Sequence, residues 1–318
     1  MHILITTRPE SLAMAVSEWQ KYDPAIRPVR DLAAGVKLLT LPGGWARFVG
    51  DAPMLLFTRH VFPVQYEGGA AEVMVNIDLP GEKGSAFSVQ ARNVSPEYIM
   101  QWEGALTLKG WVKNAKHPAW VLSVYAQDEI CYAGVSQTSE NRSRWNGGAV
   151  RYSKEGTLSR AELKLTEALE TFSIPVPPGA RALDLGAAPG GWTKVLLEAG
   201  AEVTAVDPGA LDARITAHPQ LRYVCATAQR FFAANKDARF DILVNDMKMD
   251  MYESARIMAD AAFMLADGGC AVMTFKLKAG QGLAKINKAM DILRGQYRVA
   301  GARQLFHNRD EITVFVYK

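Results

Sequence analysis

A glycine-rich turn at residues 183–193, "LDLGAAPGGWT", constrains the fold of this chain more than any other feature. It follows an apolar run, "RALDL", and leads into an apolar segment with helical spacing, "WTKVLLEAG". This pattern is typical of the turn between a first strand and a helix. The glycines Gly186, Gly190 and Gly191 match neither the Gly-x-Gly-x-x-Gly motif of dinucleotide binders nor a phosphate-binding loop ending in Gly-Lys-Ser/Thr. The turn is therefore expected to hold a different ligand.

The segments around this turn predict an α/β domain. The segment "SRAELKLTEALETF" starts with a capping box, Ser159 with Glu162 three residues later, which predicts a helix. Further strands are predicted at "AEVTAVD", "RYVCA", "FDILVND", "CAVMTFKL", "RVAGARQLF" and "ITVFVYK". The last two are expected to form an antiparallel hairpin at the sheet edge. Alternating helices and strands over residues 158–318 predict a Rossmann-like, doubly wound α/β fold.

The first half of the chain has a mixed pattern. Short β-like runs occur at "HILITT", "VKLLTL", "AEVMVNIDL", "AFSVQARNV" and "AWVLSVYAQ", with helical stretches at "PESLAMAVSEWQKY" and "PEYIMQWEGALTLKGWV". We therefore expect an α+β region, divided into residues 1–69 and 70–140. A polar passage without periodicity follows, and residues 141–157 are interpreted as an interdomain linker.

Composition sets the class of protein. A chain of 318 residues with 49% hydrophobic and 22% charged residues can bury two cores. No apolar run is long enough for a membrane span, and "MHILITTRPESLAMAV" is interrupted by charges where a secretory signal would be apolar, so a cytoplasmic location is expected. Cys131, Cys225 and Cys270 lie far apart without metal spacing and are interpreted as buried thiols in a reducing compartment.

The loop and the next strand together indicate the cofactor. Ligands of open α/β sheets bind at the carboxyl ends of the strands, where an acid about 20 residues after the loop accepts hydrogen bonds from ribose hydroxyls. Asp207 fits that position, whereas Ala188 and Pro189 stand where a dinucleotide binder needs a glycine near the pyrophosphate. A cofactor without phosphate fits better, and S-adenosylmethionine is the common one. The residues of the loop expected to contact it are Asp184, Gly186, Ala188, Pro189, Gly190, Gly191 and Trp192.

Charged residues fall at the ends of several predicted elements: Lys164 on the first helix, Asp246 after "DILVN", Lys276 within "MTFKLKAG" and Glu311 at the start of the last strand. Asp246 and Lys276 follow strands whose carboxyl ends meet at the cofactor edge. A solvated side chain is the ordinary role of such residues. For Lys276 that role is disfavoured, because a lysine entering the apolar run "AVMTF" needs a partner.

Several of these strings resemble a known family. "SRAELKL", "DLGAAPGGWT", "VNDM", "FKLKAG" and "NRDEITVFV" are similar in sequence and order to FtsJ-like 2′-O-ribose RNA methyltransferases, and more closely to the RlmM family, which acts on cytidine of bacterial 23S ribosomal RNA. The similarity covers most of residues 155–318. Upstream, residues 87–136 resemble a THUMP RNA-binding domain more loosely. The resemblance implies a tetrad of Lys164, Asp246, Lys276 and Glu311 that needs no metal.

The chemistry of a ribose hydroxyl agrees with this tetrad. The hydroxyl is a poor nucleophile and must lose its proton as it attacks the methyl group. A lysine with a reference pKa of about 10.4 can accept that proton when a second cation and desolvation favour its neutral form. We assign Lys276 as the base, Lys164 as the second cation and Asp246 as the group that orients Lys276. Glu311 is expected to hold Lys164 or the ribose.

One position departs from the family pattern. Many members carry an acid after the third strand that contacts the adenine amino group, whereas this chain reads "CATAQRF" with Thr227 there. The adenine contact is therefore expected from backbone or from Thr227. Asp246 completes the expected set of cofactor contacts.

The expected partner is RNA, most specifically 23S ribosomal RNA. The net charge of +3 is too small to indicate RNA binding by itself, so the prediction depends on how the basic residues are distributed. Basic residues gather near the linker and the catalytic rim, and Trp145 and Tyr152 among them can stack on unpaired bases. The group consists of Arg142, Arg144, Arg151, Lys154, Arg160, Lys278, Lys285 and Lys288. A solvated linker and helix face is the alternative for each of them.

Other activities remain as alternatives. A methyltransferase acting on base amino groups usually carries Asn/Asp-Pro-Pro-Tyr/Phe after the fourth strand, and one acting on base carbon needs a cysteine there. This chain reads "NDMKM", and Cys270 lies at a strand start, which disfavours both. A catalytically inactive RNA-binding or ribosome-assembly protein would not need the tetrad.

Overall fold

The computed structural model describes residues 1–153, 155–278 and 282–318, and the chain divides into two compact units, Met1–Val150 and Arg151–Lys318. Each unit has its own sheets and its own buried core. Among the described residues, no helix combines the length and apolar character needed to cross a membrane. In the same part of the chain, no group of at least three His, Cys, Asp or Glu side chains is arranged to hold a metal ion.

The first unit is a mixed α+β structure built on two sheets. Its strands are β1 (His2–Thr6), β2 (Pro28–Ala33), β3 (Val36–Thr40), β4 (His60–Val64), β5 (Tyr66–Gly68), β6 (Ala86–Arg92), β7 (Val112–Lys113), β8 (Trp120–Gln127) and β9 (Ile130–Gln137). Its α-helices are α1 (Leu12–Tyr22), α2 (Gly44–Asp51), α3 (Val73–Asn76) and α4 (Pro96–Leu108). The sheet orders are β2-β3-β1-β4 and β5-β9-β8-β6-β7.

Burial explains these elements. The run "VLSVY" of β8 is buried on both faces of its strand, which accounts for its lack of polar alternation. Trp102 and Leu106 lie four residues apart on α4 and pack into the core of the second sheet. Leu4 and Phe62 of the first sheet pack with Tyr132 of the second, so the sheets share an apolar contact.

The predicted strand at residues 71–79 is wrong. The chain instead forms a 3₁₀ turn at Ala70–Glu72 followed by α3. Val73 and Ile77 are buried at a spacing of four residues, whereas Val75 is 84% exposed. The buried apolar residues therefore follow a helical period. In so short a segment, the β-branched residues favoured a strand prediction instead.

Part of the predicted linker belongs to the first unit. The guanidinium of Arg142 donates to the carbonyl oxygens of Thr58 at 3.1 Å and Leu55 at 2.6 Å. Asn146 Nδ2 donates to the carbonyl oxygen of Ala91 at 3.2 Å. The division between the units falls after Val150, and Lys154 lies outside the described residues.

The second unit has a single sheet of seven strands. The strands are β10 (Arg181–Leu185), β11 (Glu202–Val206), β12 (Leu221–Val224), β13 (Phe240–Asn245), β14 (Leu265–Lys276), β15 (Arg298–Arg303) and β16 (Glu311–Tyr317). The α-helices are α5 (Ala161–Thr171), α6 (Gly191–Glu198), α7 (Ala213–Thr216), α8 (Ala228–Ala234), α9 (Met251–Asp260) and α10 (Leu283–Arg294).

The strand order is β12-β11-β10-β13-β14-β16-β15, with β10 to β14 parallel and β16 antiparallel to both of its neighbours. The order reverses between β10 and β13, which places a ligand crevice at their carboxyl ends. The predicted doubly wound fold and the antiparallel pairing of the last two strands are confirmed. Of these two strands, β15 lies at the sheet edge and β16 does not, because β16 also pairs with β14.

The start of α5 differs in detail from the predicted capping box. Glu162 Oε1 accepts a hydrogen bond from the backbone N–H of Ser159 at 2.9 Å, as expected. Ser159 Oγ accepts instead from the N–H of Ala161 at 3.2 Å, and the helix begins at Ala161. The expectation of three buried thiols is also corrected: Cys131 and Cys270 are buried, but Cys225 is exposed because it follows the edge strand β12.

Candidate active site

The glycine loop connects β10 to α6 and requires its glycines for backbone conformation and close packing. Gly186 has φ +75° and Gly190 has φ +114°, both in the left-handed region. A Cβ at Gly186 would lie 2.1 Å from Met247 Cγ, and one at Gly190 would lie 2.3 Å from Ile215 Cδ1. A side chain at either position would therefore strain the backbone and force Met247 or Ile215 to shift.

Asp207 follows β11 and is fixed at the mouth of this loop. Its Oδ2 accepts the N–H of Ala188 at 3.0 Å, and its Oδ1 accepts the N–H of Gly209 at 2.6 Å. Each carboxylate oxygen keeps a further acceptor site for a hydroxyl. The carboxylate therefore has the acceptors that a ribose diol needs.

Three residues predicted to contact the cofactor serve the fold in this structure. Asp184 is 1% exposed and accepts a hydrogen bond from Thr193 Oγ1 at 2.6 Å, and burial raises its pKa to about 7. The Trp192 indole is in the core and donates to the carbonyl oxygen of Ala161 at 2.8 Å. Thr227 caps α8 by accepting the N–H of Arg230 at 3.4 Å.

The sheet brings the predicted tetrad together. Asp246 directly follows β13, and Lys276 ends the neighbouring strand β14. The antiparallel register pairs Lys276 with Glu311, the first residue of β16. Lys164 enters from α5 and reaches both carboxylates. Residues far apart in the chain therefore meet at one edge of the sheet, next to the crevice.

The cluster alternates positive and negative charge. Lys164 Nζ lies 2.8 Å from Asp246 Oδ2 and 2.8 Å from Glu311 Oε2. Lys276 Nζ lies 2.6 Å from Asp246 Oδ1 and 3.3 Å from Glu311 Oε1. The side chains are between 13% and 17% exposed. Each lysine thus bridges both carboxylates in a partly desolvated site.

Thr274 is a member of the cluster that sequence reasoning missed. Its Oγ1 donates to Asp246 Oδ1 at 2.7 Å and accepts from Lys276 Nζ at 2.9 Å. Thr274 lies two residues before Lys276 on β14, so both side chains leave the same face of the strand. That alternation is the signal in the sequence that could have identified it.

The charges within the cluster shift two pKa values. Burial lowers the pKa of Lys164, but the carboxylates of Asp246 and Glu311 outweigh it and the net shift is upward. Burial raises the pKa of Asp246, but Lys164 and Lys276 outweigh it and the net shift is downward. Lys164 is therefore cationic and Asp246 anionic at neutral pH.

The predicted RNA-binding residues have different surroundings. The structure disagrees with the prediction that Arg142 binds RNA. The Arg142 guanidinium donates to backbone carbonyls of the first unit, and burial lowers its pKa to about 10. Of the basic residues predicted to bind RNA, those exposed in the described chain are Arg144, Arg151, Arg160, Lys278, Lys285 and Lys288. Lys154 is outside the described residues.

The two aromatic candidates both have partners. The Arg144 guanidinium lies 5.8 Å from the centre of the Trp145 ring. Tyr152 stacks on His307 with ring centres 5.4 Å apart and an interplanar angle of 15°, and its hydroxyl donates to Glu170 at 2.7 Å. One face of Tyr152 is therefore already covered by His307.

The strand order and the crevice place the second unit in the class of S-adenosylmethionine-dependent methyltransferases, and the family model for FtsJ-like methyltransferase matches residues 157–295. Ribosomal RNA large subunit methyltransferase M of Halorhodospira halophila is 35% identical over 291 residues, covering 84% of this chain and 82% of that protein. The chain belongs to the ribosomal RNA large subunit methyltransferase M family. The predicted family and cofactor are confirmed.

Two further relatives match over about half their length, and solved structures match at low identity. The proteins of the same name from Laribacter hongkongensis and Idiomarina loihiensis are 35% and 34% identical, and the matches cover 47% and 51% of those proteins. Fibrillarin of Aeropyrum pernix with bound S-adenosyl-L-methionine is 17% identical, with a TM-score of 0.41 over 63% of this chain and 84% of that one. TrmN of Thermus thermophilus is 18% identical, with a TM-score of 0.39 over 100% of this chain and 99% of that one.

Proposed function

We propose that this methyltransferase modifies a ribose 2′-hydroxyl of large-subunit ribosomal RNA. The observation that carries the proposal is the cluster of Lys164, Asp246, Lys276 and Glu311 at the carboxyl edge of the sheet. A hydroxyl nucleophile needs a proton acceptor, and this cluster provides a lysine that is oriented by a carboxylate. The names of the relatives support ribosomal RNA as the substrate class.

The cluster divides the work among its members. When bound, S-adenosylmethionine would supply an electrophilic methyl group on its sulfonium, and its sulfur would keep the electron pair of the broken bond as a neutral thioether. Lys276 Nζ takes the proton of the 2′-hydroxyl as that oxygen attacks, while Asp246 Oδ1, 2.6 Å away, orients the amine. Lys164 remains protonated and pairs with the carboxylates of both Asp246 and Glu311. Glu311 holds both lysines, and the proton then leaves Lys276 for solvent.

The chemistry of the site disfavours the alternatives. Cys270 is buried, with its pKa raised to about 11, and lies six residues before Lys276 on β14, so it cannot act as a nucleophile at the catalytic edge. The residues after β13 read "DMKM" and lack the Pro-Pro-aromatic motif of amino-group methylation. An inactive assembly protein would have no use for a desolvated cluster of paired charges, which is costly to bury.

RNA recognition is assigned to both units. The THUMP-like residues 70–140 and exposed Arg144 belong to the first unit, and exposed Arg151, Arg160 and Lys278 belong to the second. Cationic side chains bind the phosphate backbone without sequence preference. A substrate in the ribosome predicts a cytoplasmic location.

The proposal is tested by mapping 2′-O-methyl nucleotides in ribosomal RNA. RNA from cells with the gene, without it, and without it but expressing Lys276→Ala would be compared. We expect one 2′-O-methyl site to disappear on deletion and to return with the wild-type gene but not with Lys276→Ala. An unchanged map, or loss of a base methyl group instead, would overturn the proposal.

A further inference from the structure

A tight turn lies between β15 and β16, at the catalytic edge. The N–H of Asn308 donates to the carbonyl oxygen of Leu305 at 3.1 Å, and the N–H of Leu305 donates to Asn308 Oδ1 at 2.8 Å. Thr313 Oγ1 donates to the same side-chain oxygen at 3.0 Å. The turn therefore presents Phe306 and His307 at its two central positions.

A buried carboxylate clamps this turn. Glu167 of α5 is 3% exposed, and its carboxylate accepts the N–H of Phe306 at 2.7 Å and the N–H of His307 at 2.8 Å. His307 Nδ1 lies 2.8 Å from the same carboxylate, within hydrogen-bonding distance. Burying a charge is costly unless it is fully bonded. The hydrogen bonds that satisfy the Glu167 carboxylate also fix the position of this turn.

The clamped turn exposes one aromatic ring. His307 is covered by stacking on Tyr152, and its side chain is 14% exposed. Phe306 meets His307 edge to face, with ring centres 5.3 Å apart and an angle of 87°. Phe306 itself remains 37% exposed. It is thus an apolar surface ring supported by a rigid backbone and two packed rings.

Two elements connect the turn that carries Phe306 to the catalytic cluster. Glu167 follows Lys164 by three residues on α5, about one helical turn or 5 Å along the axis. The turn also leads directly into β16, which starts at Glu311. Arg309, three residues after Phe306 in the same connection, is an exposed cation.

We propose that Phe306 is a stacking platform for the nucleobase next to the methylated ribose. This inference rests on the proposed function and adds how the RNA strand is positioned. Unpaired bases stack on exposed aromatic rings, and the neighbouring phosphate can pair with a cation such as Arg309. Stacking one nucleotide away would hold the target 2′-hydroxyl at Lys276 without reading the target base.

The test uses the full chain and transcribed 23S ribosomal RNA. Phe306→Ala should raise KM for RNA by about 5- to 100-fold, the usual range for one stacked base, with kcat changed much less. Phe306→Trp should keep KM near the wild-type value. Phe263→Ala is the matched control: Phe263 is 39% exposed but lies just before β14, at the strand end opposite Lys276, so it should change nothing.

A second substrate separates stacking from a structural role. Once the methylated nucleotide is mapped, synthetic RNAs with an abasic residue on either side of it would be compared. One of the two abasic RNAs should have a higher KM than intact RNA with the wild type and with Phe306→Trp. With Phe306→Ala, the same abasic RNA and intact RNA should have the same KM. The proposal that Phe306 stacks on a base would be overturned if Phe306→Ala had the KM of the wild type. It would also be overturned if the abasic RNA raised KM by the same factor in all variants. Methylation of a base rather than a ribose would overturn the proposed function. The KM comparison would still test whether Phe306 stacks on a base.

Discussion

Thr274 and Lys276 bind the same carboxylate oxygen: Oδ1 of Asp246 accepts the Thr274 hydroxyl at 2.7 Å and the Lys276 amine at 2.6 Å. The threonine also accepts a hydrogen bond from the lysine at 2.9 Å. The three groups form a closed triangle, so Thr274 and Asp246 together orient the lysine amine, which also lies 3.3 Å from Glu311 Oε1. Thr274 is therefore a positioning residue.

Replacing Thr274 tests that role. Thr274→Val removes both hydrogen bonds and keeps the shape, so we expect single-turnover methyl transfer to slow by about 10-fold, the worth of one or two oriented hydrogen bonds. Thr274→Ser should restore most of the rate, because it keeps the hydroxyl. The pH profile of the rate should move in Thr274→Val but not in Thr274→Ser. An unchanged profile with a lower melting temperature would indicate a purely structural role.

Lys276 is expected to act as the general base. Lys276→Ala should reduce the single-turnover rate by about 10²–10⁴-fold with RNA and cofactor binding nearly unchanged. Lys276→Arg should be nearly as inactive, because arginine keeps the charge but is not deprotonated at working pH. Lys236→Ala, at an exposed lysine after α8 that is not among the predicted RNA-binding residues, is the control. A wild-type rate for Lys276→Arg would show that charge alone suffices.

Asp207 is expected to hold the cofactor ribose. Asp207→Ala should weaken S-adenosylmethionine binding by about 1.5–3 kcal/mol, the cost of losing hydrogen bonds to a charged acceptor. Asp207→Asn should lose less, because the amide keeps one acceptor oxygen. Calorimetry measures the affinity, and a thermal melt without cofactor separates this loss from loosening of the loop that Ala188 and Gly209 tie to Asp207. Unchanged affinity in Asp207→Ala would refute the assignment.

Glu18 should make the stability of the first unit depend on pH. Burial raises its pKa from 4.5 to about 7, and the N–H groups of Phe57 and Leu56 and the charge of Arg142 offset this only in part. Its contribution is therefore complete below about pH 4.5 and is lost as the pH rises through about 7. The melting temperature of the wild type minus that of Glu18→Gln should fall between pH 4.5 and 8. A constant difference would contradict the shift.

The first unit is expected to supply RNA affinity without chemistry. A protein spanning residues 151–318 should bind S-adenosylmethionine but lose most of its affinity for ribosomal RNA. The affinity of the full chain should fall steeply with salt, because phosphate contacts release counterions. Filter binding at several salt concentrations measures both. Equal RNA affinity of the two proteins would contradict this division of labour.

The sequence by itself determined the local elements and the types of residue at the site. The glycine loop, the acid after β11 and the alternation of helices and strands are local patterns, since left-handed backbone and apolar periodicity are written into consecutive residues. The sequence also identified Lys164, Asp246, Lys276 and Glu311, through the resemblance of their motifs to the tetrad of FtsJ-like methyltransferases.

The tertiary structure decided which of these side chains meet and what surrounds them. The register of β14 against β16 pairs Lys276 with Glu311 and brings Thr274 into the cluster, and no local pattern sets that register. Arg142 was misread for the same reason, because its partners lie more than 80 residues away in the chain. Burial and pairing depend on contacts between distant segments, and it is these contacts that turn a list of charged residues into a site.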